Sequence, residues 1–207
     1  METVNNILHM QGKRGCAEKE LTKTPSGAII IGKNIRNWGE ILLHIFNKLK
    51  DISFSHLMRI YEEGNRENGE EFWPDLESSQ QLLRAEQDFY QYLREVFFQT
   101  TGAVYCIWEE QGRYVSALRL EPYRDGLLLE ALETAPGERR KGYAAKLICA
   151  VQERYSDGKI YSHVHKRNTP SLKIHEKNGF VRISETAVHI DGSVSDRCCT
   201  LCWEGKR

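Results

Sequence analysis

Residues 133–155, ETAPGERRKGYAAKLICAVQERY, constrain this chain most, because they carry an apolar strand through a basic, glycine-containing turn into a helix. The residues just before and into it, 127–132 (LLLEAL), are a short apolar run, the pattern of a strand buried on both faces. Ala144, Leu147, Ile148, Val151 and Tyr155 then recur at helical spacing, so a helix begins near 139–142. The first amides of such a helix have no intrahelical acceptor and lie at the positive end of its dipole, which suits a phosphate. Gly142 lets a ligand approach the backbone closely, and Arg139, Arg140 and Lys141 add positive charge. The dinucleotide fingerprint and the P-loop spacing are both missing, so the turn is of another kind.

The 207 residues suit one full-sized domain with an extension. Lysine plus arginine equals aspartate plus glutamate at 29 each, so no global field attracts nucleic acid or an anionic membrane, and a small molecule or peptide is the expected partner. No apolar run approaches the roughly 18 residues of a membrane helix, and the first residues lack the charge order of a leader, which makes a cytoplasmic location the expectation. Six cysteines occur without two paired ligand sets, arguing against a disulfide framework and a structural metal. Cys199 and Cys202 fall on an apparent last strand, where alternation sends their sulfurs to opposite faces.

Residues 1–40 show one apolar burst, 28–31, and no sustained period, so they are taken as an extension; residues 41–207 form the domain. A first strand is expected over 44–52. A helix follows, capped by Ser53 or Ser55, with Phe54, Leu57, Met58 and Tyr61 on one face and Gly64 at its end. Residues 62–77 then read as a charged loop with seven carboxylates, Phe72 and Trp73, before a helix boxed by Ser78 and Gln81 that runs through Phe97. Short strands follow at 104–108, 114–120 and 127–132, then the basic turn and its helix, and a strand at 159–164. Thr169 and Pro170 open a further helix that Asn178-Gly179 stops, and Asp191-Gly192 turns a final hairpin.

Two blocks carry a family likeness. Arg139-x-x-Gly142-x-Ala144, preceded by Pro136, resembles the acetyl-CoA signature of the GNAT family of N-acetyltransferases. Residues 168–180, NTPSLKIHEKNGF, resemble that family's next motif, an asparagine before a short helix that ends in an aromatic-x-x-x-Gly-Phe. The likeness extends over about residues 45–205 on the order of strands and helices. It implies an α/β (α+β) fold: a mixed, mostly antiparallel sheet of about seven strands, splayed at the acetyl-CoA site, with helices on both faces.

The same resemblance implies transfer of the acetyl group of acetyl-CoA to a primary amine by direct attack, without a metal. The phosphates fall to Arg139, Arg140, Lys141, Gly142, Tyr143 and Ala144. The pantetheine arm falls to backbone groups of Leu132 and Thr134 and to Asn168 and Ser171, with an amide near Thr134 polarising the thioester carbonyl. His175 stands where the family commonly has a tyrosine that protonates the leaving thiolate, and an imidazolium is chemically adequate. For the base, His163 lies five residues before Asn168, and Glu130 and Glu133 lie on the central strand, on opposite faces by alternation; Glu133, beside Thr134, is preferred. The acidic, aromatic loop at 62–77 suggests a cationic acceptor, as a monomer or homodimer would present it to a small-molecule or peptide amine. The rival readings are a non-catalytic acyl-CoA-binding module and an interaction protein recruiting through residues 1–40.

Overall fold

The computed structural model describes residues 21–23, 29–31 and 41–205. Strand alternation and helical periodicity sort the chain into three layers. The central layer is a nine-stranded sheet in the order β1-β2-β3-β4-β5-β6-β7-β11-β8. Its seven-stranded body is β3 (Ile41–Phe46), β4 (Val104–Glu110), β5 (Arg113–Tyr123), β6 (Gly126–Thr134), β7 (Lys159–His165), β11 (Cys198–Glu204) and β8 (Val181–Ser184). Two short strands of the amino-terminal segment, β1 (Leu21–Lys23) and β2 (Ile29–Ile31), extend it from the β3 edge, Ile29 opposite Leu43. The rest of residues 1–40, including Ala28 of the expected apolar burst, lies outside the described residues.

Every pair in the sheet is antiparallel except β6–β7, which run parallel and pair only from Leu127–Ile160 to Leu129–Ser162. Beyond that point the two strands part. The fork follows from a bulge: Ala131 takes a left-handed φ of 49°, and the β5–β6 register shifts between Ala117 and Arg119.

Helices α1 (Phe54–Phe72) and α2 (Ser78–Glu95), with the helical turn Phe97–Gln99 that follows α2, cover one face, packing Leu57, Met58, Ile60, Leu93 and Phe97 against Tyr105, Ile107 and Ala117. Helices α3 (Tyr143–Arg154) and α4 (Thr169–Lys177) cover the other, with Leu147, Ile148 and Val151 against Leu118, Leu120, Leu129 and Leu201. Each fully buried aliphatic side chain of these clusters contributes roughly 1.5–3 kcal/mol relative to exposure. A two-stranded ribbon, β9 (Ala187–Val188) with β10 (Val194–Ser195), covers the part of the α1–α2 face that those helices leave open. It is tied down by Tyr123 Oη donating to Val188 O at 2.6 Å and Thr200 Oγ1 to Thr186 O at 2.7 Å.

Five local expectations need correction. The first strand ends at Phe46, and residues 49–51 are a separate helical turn. The expected loop at 62–77 is mostly helix, since α1 passes through Gly64 to Phe72. Neither α1 nor α2 has a side-chain cap, and Gln81 instead donates from Nε2 to Trp73 O at 3.0 Å. The cap of α4 is Asn168 rather than Thr169. The expected final hairpin is divided: Asp191-Gly192 turns the β9–β10 ribbon, while β8 pairs with β11. Cys199 and Cys202 do lie on opposite faces, Cys199 in the α3–α4 core and Cys202 with Tyr123, Leu128 and Tyr161.

Candidate active site

The fork between β6 and β7 exposes backbone that an ordinary sheet would pair. Val115 and Ala135 bond across β5–β6, so alternation turns the amide and carbonyl of Thr134, and likewise those of Leu132, towards the fork. Thr134 is already engaged there: its amide donates to Glu133 Oε1 at 3.1 Å, and its carbonyl accepts from Arg139 Nε at 3.3 Å. Arg139 also pairs with Glu63 of α1 and, at 3.2 Å, with Glu133. The arginine expected to face phosphate therefore staples α1 to the end of β6. Lys141 is likewise paired, to Glu138 at 2.7 Å, and Arg140 is exposed.

Behind these side chains the start of α3 is left open. Gly142 is the N-cap of α3, with φ 85° and no side-chain cap, and Lys146 is the residue whose amide returns to its carbonyl. The amides at the start of α3, those of Tyr143 and Ala144 among them, thus lack intrahelical acceptors. A Cβ added at Gly142 would meet nothing within 4 Å, so the glycine is required by its φ and leaves open space where a ligand would approach. Tyr143 lies half-buried beside the turn, and burial pushes its hydroxyl up to about 12.

On the α1–α2 face the bulge alters the expected geometry. Glu130 pairs with Arg119 and Glu133 with Ala117, two residues on one side of β5, so both carboxylates face α1 and α2 instead of opposite ways. Glu130, with Tyr61, Asn65, Asn68, Phe89, Tyr92, Arg119 and Ala131, lines a cavity of about 520 Å³ between the two helices and the sheet. Tyr61 donates to Ala131 O at 2.7 Å, fixing the bulge, and burial holds its hydroxyl well above the usual range. Arg119 lies under the rings of Tyr92 and Phe97 and reaches Glu130 at 3.9 Å. Glu121 is buried close by; burial first, and then Glu130, raise its carboxyl pKa. A lone arginine in the apolar run VSALRL was the available signal for this floor; nothing in the sequence marked Ala131.

His163 is the next residue on β7 after the last paired position, on the same face as Leu128 and Tyr161, and so stands across the fork from Glu130. Its ring packs edge-on against Tyr123 and His189, and neither nitrogen has a partner among the described residues. Burial, His189 and Arg124 together lower its pKa to about 4, so it is neutral at pH 7. His175 is 1% exposed, edge-on to Phe180. Its Nδ1 lies 2.8 Å from Ser171 O, which places the proton on Nδ1 and leaves Nε2 a buried acceptor without a partner. Burial lowers its pKa, the bond to Ser171 opposing. Asn168 Oδ1 accepts from the Ser171 amide at 3.1 Å, so its oxygen caps α4 and its amide NH2 remains for a ligand. The aromatic pair of the expected acceptor loop is partly committed, for the Arg84 guanidinium lies over Trp73 at 5.7 Å and Phe72 contacts the same ring.

The fold is a sheet forked beside an uncapped helix start, and it has counterparts among known proteins. The sequence profile of the Acetyltransferase (GNAT) family matches residues 58–180, and the chain belongs to that family. No curated protein matches it in sequence. Among solved structures it is similar to the PaiA N-acetyltransferase of Thermoplasma acidophilum in complex with coenzyme A, at TM-score 0.52 and 12% identity over 78% of this chain and 98% of that one. A putative GNAT acetyltransferase from Desulfovibrio desulfuricans gives 0.53 and 13%, over 79% and 98%. The Campylobacter jejuni N-acetyltransferase PseH in complex with acetyl coenzyme A gives 0.50 and 14%, over 80% and 99%. At these identities the likeness establishes the fold. No helix of the described residues is long and apolar enough to cross a membrane.

Proposed function

We propose that the protein transfers the acetyl group of acetyl-CoA to a primary amine by direct attack. The observation that carries this is the β6–β7 fork, opening past Leu129 and Ser162 with the uncapped start of α3 at its mouth and Glu130 on its acceptor face. The free amides from Tyr143 onward and Arg140 would hold the pyrophosphate. Leu132, Thr134, Asn168 and Ser171 would hold the pantetheine arm, and the Thr134 amide would polarise the thioester carbonyl once Glu133 Oε1 releases it.

In the transfer, the amine nitrogen bonds to the carbonyl carbon, the carbon–sulfur bond breaks, one proton leaves the nitrogen and one is taken up by sulfur. Glu130, at the cavity floor, is placed to receive the amine proton directly or through water. Glu133 is held by Thr134 and Arg139, and its role is to guard the amide until substrate displaces it. His163, neutral and across the fork, is the second candidate base. His175 would serve as acid only after taking a proton on Nε2 against its burial, so its contribution should grow towards low pH. The acceptor is a cationic small-molecule or peptide amine, because the Glu130 carboxylate lines the cavity among the rings of Tyr61, Phe89 and Tyr92. Calorimetry tests the cofactor half of this reading. Gly142→Asp should weaken acetyl-CoA binding by placing bulk and negative charge at the helix start, and unchanged affinity in a folded variant would remove it.

A further inference from the structure

A second cationic station lies on the other wall of the fork. Where β7 ends, His165, Lys166, Arg167 and Arg197 line a hollow of about 450 Å³. Its frame is rigid: the Lys166 amide donates to Arg197 O at 2.9 Å, continuing the β7–β11 ladder, and the Arg167 amide donates to His165 Nδ1 at 3.1 Å. The second bond puts the proton of a neutral His165 on Nε2, so that ring joins the hollow as a donor. One carboxylate approaches, Glu185, 3.8 Å from Lys166; it is 69% exposed and shared with Arg182, an arrangement that neutralises little. The guanidinium groups of Arg167 and Arg197 make no ion pair among the described residues, although the chain as a whole is neutral. The amides that follow do not account for the charge, because Asn168 already caps the start of α4.

We propose that this hollow seats a phosphate monoester. Two planar forks, an ammonium and an imidazole N–H belong to the residues lining one hollow, and a tetrahedral dianion can use more of them than a carboxylate can. Such a phosphate has two sources on a CoA-dependent enzyme: the 3′-phosphate of CoA itself, which rests on the cofactor reading above, or a phosphate carried by the acceptor.

The probe is inorganic phosphate, followed by the ring-proton resonances of His165. In the free protein it should shift them saturably, and Arg167→Gln with Arg197→Gln should weaken that response about ten-fold or more, while the Lys pair at the same positions, which keeps the charge and loses the planar forks, should fall between the parent and the Gln pair. Both arginines are exposed, so the fold should survive the changes. Loss of the phosphate response in CoA-saturated protein, with retention in dephospho-CoA-saturated protein, assigns the hollow to the 3′-phosphate. Retention in both assigns it to the acceptor. No saturable shift in the free protein, or an equal shift with chloride at matched ionic strength, overturns the proposal, and this arm reads the same even if CoA binds nowhere.

Discussion

A single side chain in this site often holds two posts, and substitutions can separate them. Asn168 caps α4 through its oxygen while its amide NH2 is left for a ligand. Asn168→Asp should keep the cap, since aspartate serves that position as well as asparagine, yet lose the donor. Asn168→Ala should lose both. The expected outcome is a stability near the parent for the Asp variant with weakened acetyl-CoA binding, and a loss of about 1 kcal/mol for the Ala variant, read by denaturant unfolding alongside calorimetry. Equal CoA affinity in the Asp variant and the parent would confine Asn168 to the cap. The Glu130 and Glu133 pair illustrates the same economy differently. One carboxylate faces the cavity and the other is spent on an amide and an arginine, a division set by one left-handed alanine.

At the scale of elements, the acceptor cavity depends on how closely α1 and α2 cross. Gly69 is the contact: a Cβ there would lie 2.9 Å from the backbone carbon and oxygen of Gln81. Gly69→Val should therefore force the helices apart and cost about 1–3 kcal/mol, visible as a lower unfolding midpoint, even though glycine is a poor helix former. A variant as stable as the parent would mean the helices yield without cost. The same contact explains why the sequence pattern ends before α1 does. Its later inward positions are Asn65 and Gly69, both buried, so the apolar period stops at Tyr61 while the helix continues. Gly64 and Gly69 then look like punctuation. By contrast, β6, the turn and α3 were legible because a short apolar run and an amphipathic helix write different periods on either side of Gly142, although only Leu128 and Leu129 of the run 127–132 are fully buried, because β6 parts from β7 beyond them. The second block, from Asn168 to Phe180, was legible for its end signals, with the cap misplaced by one residue. The bulge at Ala131 was not legible, since nothing local to an alanine announces a positive φ, and with it went the facing of the two glutamates.

For the molecule as a whole, pH should act through the aromatic box under the β9–β10 ribbon. His163 faces Tyr123 on β5, His189 on the ribbon and the Arg124 charge, and its folded pKa of about 4 lies below the unfolded value of about 6.5. The unfolded chain binds that proton more readily, so stability is intact above about pH 6.5 and declines as pH falls towards 4. Thermal unfolding from pH 7 to 4 should show a shallower decline in His163→Phe than in the parent; parallel curves would remove His163 as the cause. The central claim concerns the fork and the cavity acting together, with acetyl-CoA on one side and an amine on the other. Its most direct measurement is steady-state release of CoA thiol from acetyl-CoA across a panel of primary amines, run on the parent and on Glu130→Gln. At least one cationic amine should give many turnovers per protein molecule. The Gln variant, binding acetyl-CoA equally, should be slower by about 100- to 10,000-fold. Acetyl-CoA binding with no turnover on any amine, or an unaffected Gln variant, would contradict the account.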